Sequence, residues 1–226
     1  MTKVSRNRKP RKALNLKYFV ITLQEVIRML TMKTVTTFYR NVIVFDRSIN
    51  DTSPDFQPHL PVEIKILTEK DLPAYYTFRP NQCMNEIRKR LDREDKCFMV
   101  LHEGRMVHSS WVAREKVYVP YLRCNLILKP GEFYIYDNYT LPEYRNQGLA
   151  QTRSVYICKY YQGLGYHRAI QIVAVENETG LGMSKALGYQ PIGLYGCIRI
   201  GPWQWDWQQS WGKESFPILT KATRWK

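Results

Sequence analysis

The sequence predicts an α/β fold on a mixed sheet, preceded by an N-terminal helix-strand extension. Three observations predict it. Short strand-like runs separated by turn residues fill the middle of the chain, and a β-α-β-α-β alternation follows from Glu132. One helix opens directly off a strand end on the small residues Gly148 and Ala150.

Taken in order, residues 13–31 carry Leu16, Val20, Leu23, Ile27 and Leu30 at helical spacing. Lys17, Gln24, Glu25 and Arg28 fill the opposite side, which predicts an amphipathic helix. Residues 34–46 are β-branched and aromatic and read as a strand. Residues 50–61, with three prolines, read as a linker, so the division is a basic extension over 1–60 and a main domain over 61–226. In that domain 63–67 reads as a strand, Asp71-Leu-Pro starts a helix, and 85–93 is a second helix. Strands are expected over 97–102 and 106–113, joined at Gly104, and then over 132–140. A helix over 147–161 stops near Gly163 and Gly165. A strand over 169–175, a helix over 179–187 closed by Gly188, and a strand over 192–200 complete the run.

A chain of 226 residues, 44% apolar and 13% aromatic, holds a full core. Its net charge of +14 implies acidic partners: nucleotide phosphates, nucleic acid, an acidic carrier protein or an anionic membrane. Residues 1–60 hold eleven Lys/Arg against four Asp/Glu, half the net charge. The five cysteines (Cys83, Cys97, Cys124, Cys158, Cys197) are scattered without a Cys-x-x-Cys, which fits buried thiols in a reducing compartment. The histidines share no ligand spacing with them, so no structural zinc and no metal are expected. No stretch reaches the ~20 apolar residues of a membrane span. A cytoplasmic protein is expected, with peripheral contact at the inner membrane face through residues 1–33. The first twelve residues, with six Lys/Arg and no acid, leave organellar targeting open.

The stretch Tyr139-Thr-Leu-Pro-Glu-Tyr-Arg-Asn-Gln-Gly-Leu-Ala150 carries the chemistry. A helix opening exposes backbone N–H groups that no helical carbonyl satisfies, and their dipoles favour an anion. Gly148 and Ala150 admit a bulky phosphate and Arg145 adds a cation, so the stretch reads as a pyrophosphate cradle. Downstream come a strand ending at Glu176-Asn177 and a helix stopped by Gly188-Tyr189.

This combination resembles the GCN5-related N-acetyltransferase superfamily over residues 62–200. Thr140-x-Pro142-x-Tyr144-Arg145-x-x-Gly148-x-Ala150 is similar to its acyl-CoA pyrophosphate motif, and Asn177 with Gly188-Tyr189 to the next motif. The resemblance implies a mixed, mostly antiparallel central sheet flanked by helices and an acyl-CoA-dependent acyltransferase, most simply using acetyl-CoA. Backbone N–H groups of Asn146, Gln147, Gly148, Leu149 and Ala150, with Arg145, would hold the pyrophosphate. The strand end at Asn138, Thr140 and Leu141 would pair with the pantetheine arm and polarise the thioester carbonyl. Asn177 would hydrogen-bond the pantetheine amides. Transfer in this family is direct, so no nucleophilic Cys or Ser is required.

Many members place a thiolate-protonating tyrosine where this chain has Ser184, which equally reads as a solvent-facing helix residue. Tyr139, Tyr189 and Tyr195 are substitutes. A thiol leaves readily, its pKa being ~8.5, so that acid is dispensable. Asp137 is the first choice of base, its pKa raised by burial among Tyr136 and Tyr139; Glu132, His108 and Glu176 follow.

Trp203, Trp205 and Trp207 fall on one face of a strand, with Trp211 beyond. They cap a core, or offer a platform for a sugar ring, an acyl chain or a membrane interface. The acceptor is expected to be an amine or hydroxyl of a small-molecule, amino-sugar or lipid-linked compound. Two alternatives stand beside this reading. One is a long-chain N-acyltransferase fed by acyl carrier protein, and the other a non-catalytic module binding membrane or nucleic acid. The charged tail lacks the aromatic interleaving of single-strand binders, which argues against nucleic acid.

Overall fold

The computed structural model describes residues 37–49, 56, 58–200, 203–211 and 216–221. The helix expected over 13–31, the basic tail and most of the 50–61 linker lie outside them. The chain divides into two compact units, one of Met1–Tyr39 with Ile198–Trp205 and a larger one of Arg40–Cys197 with Asp206–Lys226. In the first unit, Trp203 and Trp205 are exposed.

The strands are β1 (Thr37–Ser48), β2 (Glu63–Ile66), β3 (Lys96–His102), β4 (Arg105–Ala113), β5 (Lys116–Val119), β6 (Cys124–Ile127), β7 (Glu132–Thr140), β8 (Arg168–Ala174), β9 (Gln190–Ile200), β10 (Trp203–Ser210) and β11 (Ile218–Lys221). The helices are α1 (Leu72–Phe78), α2 (Met84–Asp92), α3 (Leu149–Gly163) and α4 (Glu178–Ala186). Eight strands form one sheet in the order β10-β9-β1-β8-β7-β4-β3-β2, and β11-β6-β5 form a small second sheet. The pairs β1/β8, β2/β3, β3/β4 and β4/β7 are antiparallel, and β7/β8 is parallel. The expected mixed, mostly antiparallel sheet flanked by helices is therefore present. The strand expected over 34–46 forms as β1, and from Val42 onward it pairs with β8. The second sheet was not expected, because β5 and β6 are four-residue strands, too short for a periodic signal.

Alternation along the strands sends side chains to opposite faces. Phe98, Val112, Phe133 and Ile135 pack with Ile157, Cys158 and Tyr161 of α3 on one face. Cys97, Met99 and Trp111 pack with Tyr75 and Phe78 of α1 and Ile87 of α2 on the other. Trp111 donates its indole Nε1–H to Tyr75 Oη at 2.9 Å, satisfying its one polar atom at full burial. Trp207 lies against Gly196, where an added Cβ would meet its ring at 2.2 Å.

The pairing of β7 and β8 positions everything functional. It runs over three couples only, from Glu132↔Arg168 to Tyr134↔Ile170. At that end Arg168 donates from Nε to Asp46 Oδ2 of β1 (2.8 Å) and from Nη1 to Glu132 Oε1 of β7 (2.6 Å), all three side chains being buried. Glu132 also accepts from the Lys129 backbone N–H at 3.0 Å. This buried ion triad ties β1, β8 and β7 together where the pairing begins. It also corrects the reading of Glu132 as a base, since its carboxylate is consumed by the triad.

Removing one partner of a buried ion pair typically costs ~3–5 kcal/mol, whereas an exposed pair is worth ~0–1. Glu132→Ala is expected to lower the unfolding free energy by about 3 kcal/mol in urea denaturation. Glu63→Ala, which breaks an exposed pair with Lys65, is expected to change it by less than about 1 kcal/mol.

Candidate functional site

Beyond Tyr134 the two parallel strands stop pairing, and β7 changes course. Its register with β4 shifts between Ser109 and Trp111, so that Asp137 and Asn138 together face Ser110. Asp137 takes a left-handed backbone (φ 47°), a conformation costly for most non-glycine residues but tolerated by Asp. This is a β-bulge. Two cations from the helical layer hold it. Arg79 Nη2 donates to Asp137 Oδ1 at 3.1 Å and Arg90 Nη1 to Oδ2 at 2.5 Å. Arg79 also lies over the Tyr139 ring at 4.3 Å, and Arg90 over Trp111 at 5.1 Å. Asp137 was the expected base among apolar neighbours; the structure instead engages both of its oxygens with guanidinium groups, which makes it a fastener of the bulge.

The gap between β7 and β8 opens into a cleft of about 860 Å³. Its wall on one side is β7 from Tyr134 to Thr140, and on the other β8 from Gln171 to Ala174. The loop before α3 and the face of α4 complete it. A second cavity of about 380 Å³ lies among Gln82, Glu86, Arg90, Arg93 and residues 117–121. Tyr134, Tyr136, Asp137, Ile172 and Ala174 line both, so the two hollows share the strand ends of β7 and β8 as a common wall.

The predicted cradle has the shape an anion needs. Pro142–Tyr144 form a 3-10 turn, Asn146 and Gly148 are left-handed (φ 61° and 75°), and α3 then begins at Leu149. At this end the Thr152 N–H returns to Gly148 O at 3.0 Å, and the N–H groups of the first turn before it are left for another acceptor. Successive backbone N–H groups in such a turn form a concavity for anions. Gly148 is required twice over: its φ disfavours a side chain, and an added Cβ would meet the Phe56 ring at 2.5 Å. Arg145, Asn146, Gly148, Leu149 and Ala150 line the cleft. Gln147 turns its carbonyl outward to the His59 N–H.

Other expected residues fall differently. Asn138 and Thr140 line the cleft, whereas Leu141 does not: its N–H goes to Val107 O and its side chain packs with Val100, Val107 and Leu149. Asn177 lines the cleft, but its Oδ1 caps α4 by accepting from Gly180 N at 2.9 Å. Its amide nitrogen, not its oxygen, is the group left to face a ligand. Ser184 is 2% exposed, not solvent-facing, and donates to Gln171 Oε1 at 2.9 Å inside the cleft. Tyr139 lines the cleft. Tyr189 and Tyr195 are buried away from it, and burial pushes both phenols up, which corrects their assignment as proton donors. Glu176 is exposed at the end of β8 and accepts the Tyr121 hydroxyl.

His108 is also buried. Arg153 Nε–H donates to its Nε2 at 3.2 Å, which fixes the proton on Nδ1 toward Thr140 Oγ1 at 2.7 Å. Its lone pair is therefore engaged, and the imidazole is no base. Sequence reasoning missed Arg153, although a signal existed: it interrupts the apolar row Leu149, Ile157, Tyr161 at four-residue spacing.

A sequence model described as Acetyltransferase (GNAT) family matches residues 64–189. The chain belongs to this family and has the GNAT fold. A GCN5-related N-acetyltransferase from Sphaerobacter thermophilus superposes with a TM-score of 0.55 at 12% identity, over 84% of this chain and 69% of that one. A putative GNAT-family acetyltransferase from Novosphingobium aromaticivorans gives 0.52 at 15%, over 74% and 66%. A Drosophila protein gives 0.51 at 16% over 82% of this chain, which spans 58% of that protein's length. A comparison with curated protein sequences returns no match.

Burial, and then the Arg153 guanidinium, hold His108 well below its ordinary 6.5. The unfolded chain takes up a proton there that the folded chain refuses, so stability is lost as pH falls below about 6.5, by up to ~1.4 kcal/mol per pH unit. Unfolding curves between pH 7 and 5 are expected to show this slope, and His108→Asn to flatten it.

Proposed function

We propose that this chain transfers an acyl group from an acyl-CoA to an amine or hydroxyl of a small-molecule, amino-sugar or lipid-linked acceptor, by direct attack with both substrates bound. The observation that carries the reading is the pair of hollows that share the diverging ends of β7 and β8 as a common wall. A donor thioester laid along the larger one presents its carbonyl carbon to an acceptor in the smaller one.

The residues fit such a donor. The turn from Arg145 to Ala150 has the N–H groups and the cation for a pyrophosphate, and Gly148 supplies the left-handed backbone that the turn requires. The unpaired stretch of β7 beyond Tyr134 suits an amide-bearing arm laid alongside as an extra strand. The register shift at the bulge takes β7 out of the regular β4 ladder, which suits backbone N–H groups that would receive a carbonyl oxygen as it gains charge. When bound, the acyl-CoA would supply an activated thioester carbonyl, with the coenzyme A thiolate as a good leaving group. The acceptor's lone pair forms the new bond to the acyl carbon, the C–S bond breaks, and the thiolate departs with the sulfur electron pair. With a pKa of ~8.5 it needs no dedicated acid, which suits a site where the Ser184 hydroxyl is committed to Gln171.

The acceptor must lose a proton. Of the carboxylates considered, Asp137 and Glu132 are consumed by ion pairs. Glu176 is exposed and bonded to Tyr121, which lines the smaller cavity. We assign the proton-accepting role to Glu176. The cells' acceptor chemistry and the site of action, cytoplasmic or at a membrane face through residues 1–33, are part of this proposal.

Two measurements test it. Titration calorimetry with coenzyme A is expected to show binding to the wild-type chain and a loss of at least about 10-fold in Gly148→Val, whose side chain is strained at φ 75° and meets the Phe56 ring, so that the turn is displaced. Unchanged affinity would remove the cradle assignment. Once an acceptor is in hand, Glu176→Gln is expected to lower kcat by ~10²–10⁴-fold with KM for the donor unchanged.

A further inference from the structure

One charged group in the donor cleft is left without its counterpart. Arg153 on α3 is 1% exposed and lines the cleft. Its Nε donates to His108 Nε2 at 3.2 Å, and its buried Nη1 has no hydrogen-bond partner. Among the described residues no carboxylate pairs with it. Burial brings the guanidinium down only to about 10, so it carries its charge at neutral pH. His108 is neutral there and offers a lone pair, not a charge. A buried cation that lacks an anion is costly. The other buried guanidiniums of the sheet and helices are matched: Arg168 by Asp46 and Glu132, and Arg90 by Asp137.

The position of Arg153 says which part of a donor it meets. The cradle's N–H groups and Arg145 precede it by one to two helical turns and sit where the pyrophosphate is expected. From Arg153 a row of polar groups runs instead toward the bulge. His108 lies within 3.2 Å of Ser110 Oγ, and Ser110 donates to Asn138 Oδ1 at 2.5 Å. Asn138 is the bulge residue beside which the thioester would lie. The unpartnered guanidinium thus belongs to the acyl end of the cleft. A planar, fork-shaped donor of this kind is suited to a carboxylate.

We propose that Arg153 makes the cleft a receptor for an acyl group ending in a carboxylate, so that the donor is the coenzyme A monothioester of a short dicarboxylic acid. The inference rests on the acyl-CoA reading above and narrows its donor. The transfer step is unchanged: the acceptor bonds to the thioester carbon, the C–S bond breaks, and the distal carboxylate stays on Arg153 throughout. The acetyl donor expected from the resemblance would leave the guanidinium unmatched.

The experiment uses stable thioethers of coenzyme A on the full chain. S-(2-carboxyethyl)- and S-(3-carboxypropyl)-coenzyme A are compared with the equally long neutral S-propyl and S-butyl compounds, and with coenzyme A itself. In the wild type at least one acid is expected to bind ~10–100-fold tighter than its neutral match, the range of a charge-assisted hydrogen bond. In Arg153→Met that difference is expected to vanish while coenzyme A binds as before, and thermal stability is not lowered, since an unmatched buried charge has been removed. Equal binding of acid and neutral analogues by the wild type overturns the proposal, and that result stands even if the variant does not fold. A loss of coenzyme A affinity in a folded Arg153→Met also overturns it, because it assigns the cation to the phosphates. If the wild type binds none of the compounds, coenzyme A included, the acyl-CoA reading itself falls and this inference with it.

Discussion

Everything functional in this chain depends on a parallel strand pair that is closed at one end and open at the other. The closed end is set by Arg168, which reaches Asp46 on β1 and Glu132 on β7 from its own place on β8. Three strands that have no local connection are thereby held in register by one buried guanidinium. The desolvation such a group suffers is returned only when every partner is present. That condition gives specificity: a one-residue slip of β7 on β8 would strand the charges as well as turn Phe133 out of the core. Three couples of pairing then suffice, and the remaining length of both strands is free to diverge.

The open end has its own fastener. The bulge at Asp137 would be a strained and mobile place if its carboxylate faced water. With Arg79 and Arg90 reaching it from the helical layer, the left-handed backbone at that residue is over-determined by contacts on its far side. The same two arginines lie on Tyr139 and on the Trp111 and Tyr136 rings, so they tie the bulge to the helices and the aromatic layer. An acid used in this way serves the fold, since both of its oxygens are spent on holding the bulge in place.

Much of this was legible in the residues. Strands of seven or more residues and the helices beside the cradle announced themselves by period and by glycine stops, and the left-handed turn before α3 announced itself by its small residues. What could not be read were relations between distant positions. Nothing local marks Asp137 as bound to Arg79 and Arg90, which lie 58 and 47 residues away. Tyr189 looks like a site residue in a motif, yet its side chain follows the core face of the sheet. Asn177 was read as a ligand donor from its place after a strand, but an Asn three residues before Gly180 is also an N-cap, and the cap claims its oxygen. Burial decides such cases, and burial is a property of the assembled layers.

The distribution of cations completes the physical picture. A net charge of +14 by itself says only that acidic partners are welcome. The structure sorts part of that charge by whether it is matched. Arg79, Arg90, Arg93, Arg114 and Arg168 each meet a carboxylate, and they do so at strand ends, at the bulge or at a turn where they fasten the fold. Arg145 and Arg153 meet none among the described residues, and both line the larger cleft. Solvent screens the first of these, which sits on an open loop; nothing screens the second. A cleft walled by low-dielectric aromatic and aliphatic groups concentrates such unmatched charge, and a ligand able to neutralise both cations would carry negative charge at two separated places, one at the helix mouth and one within.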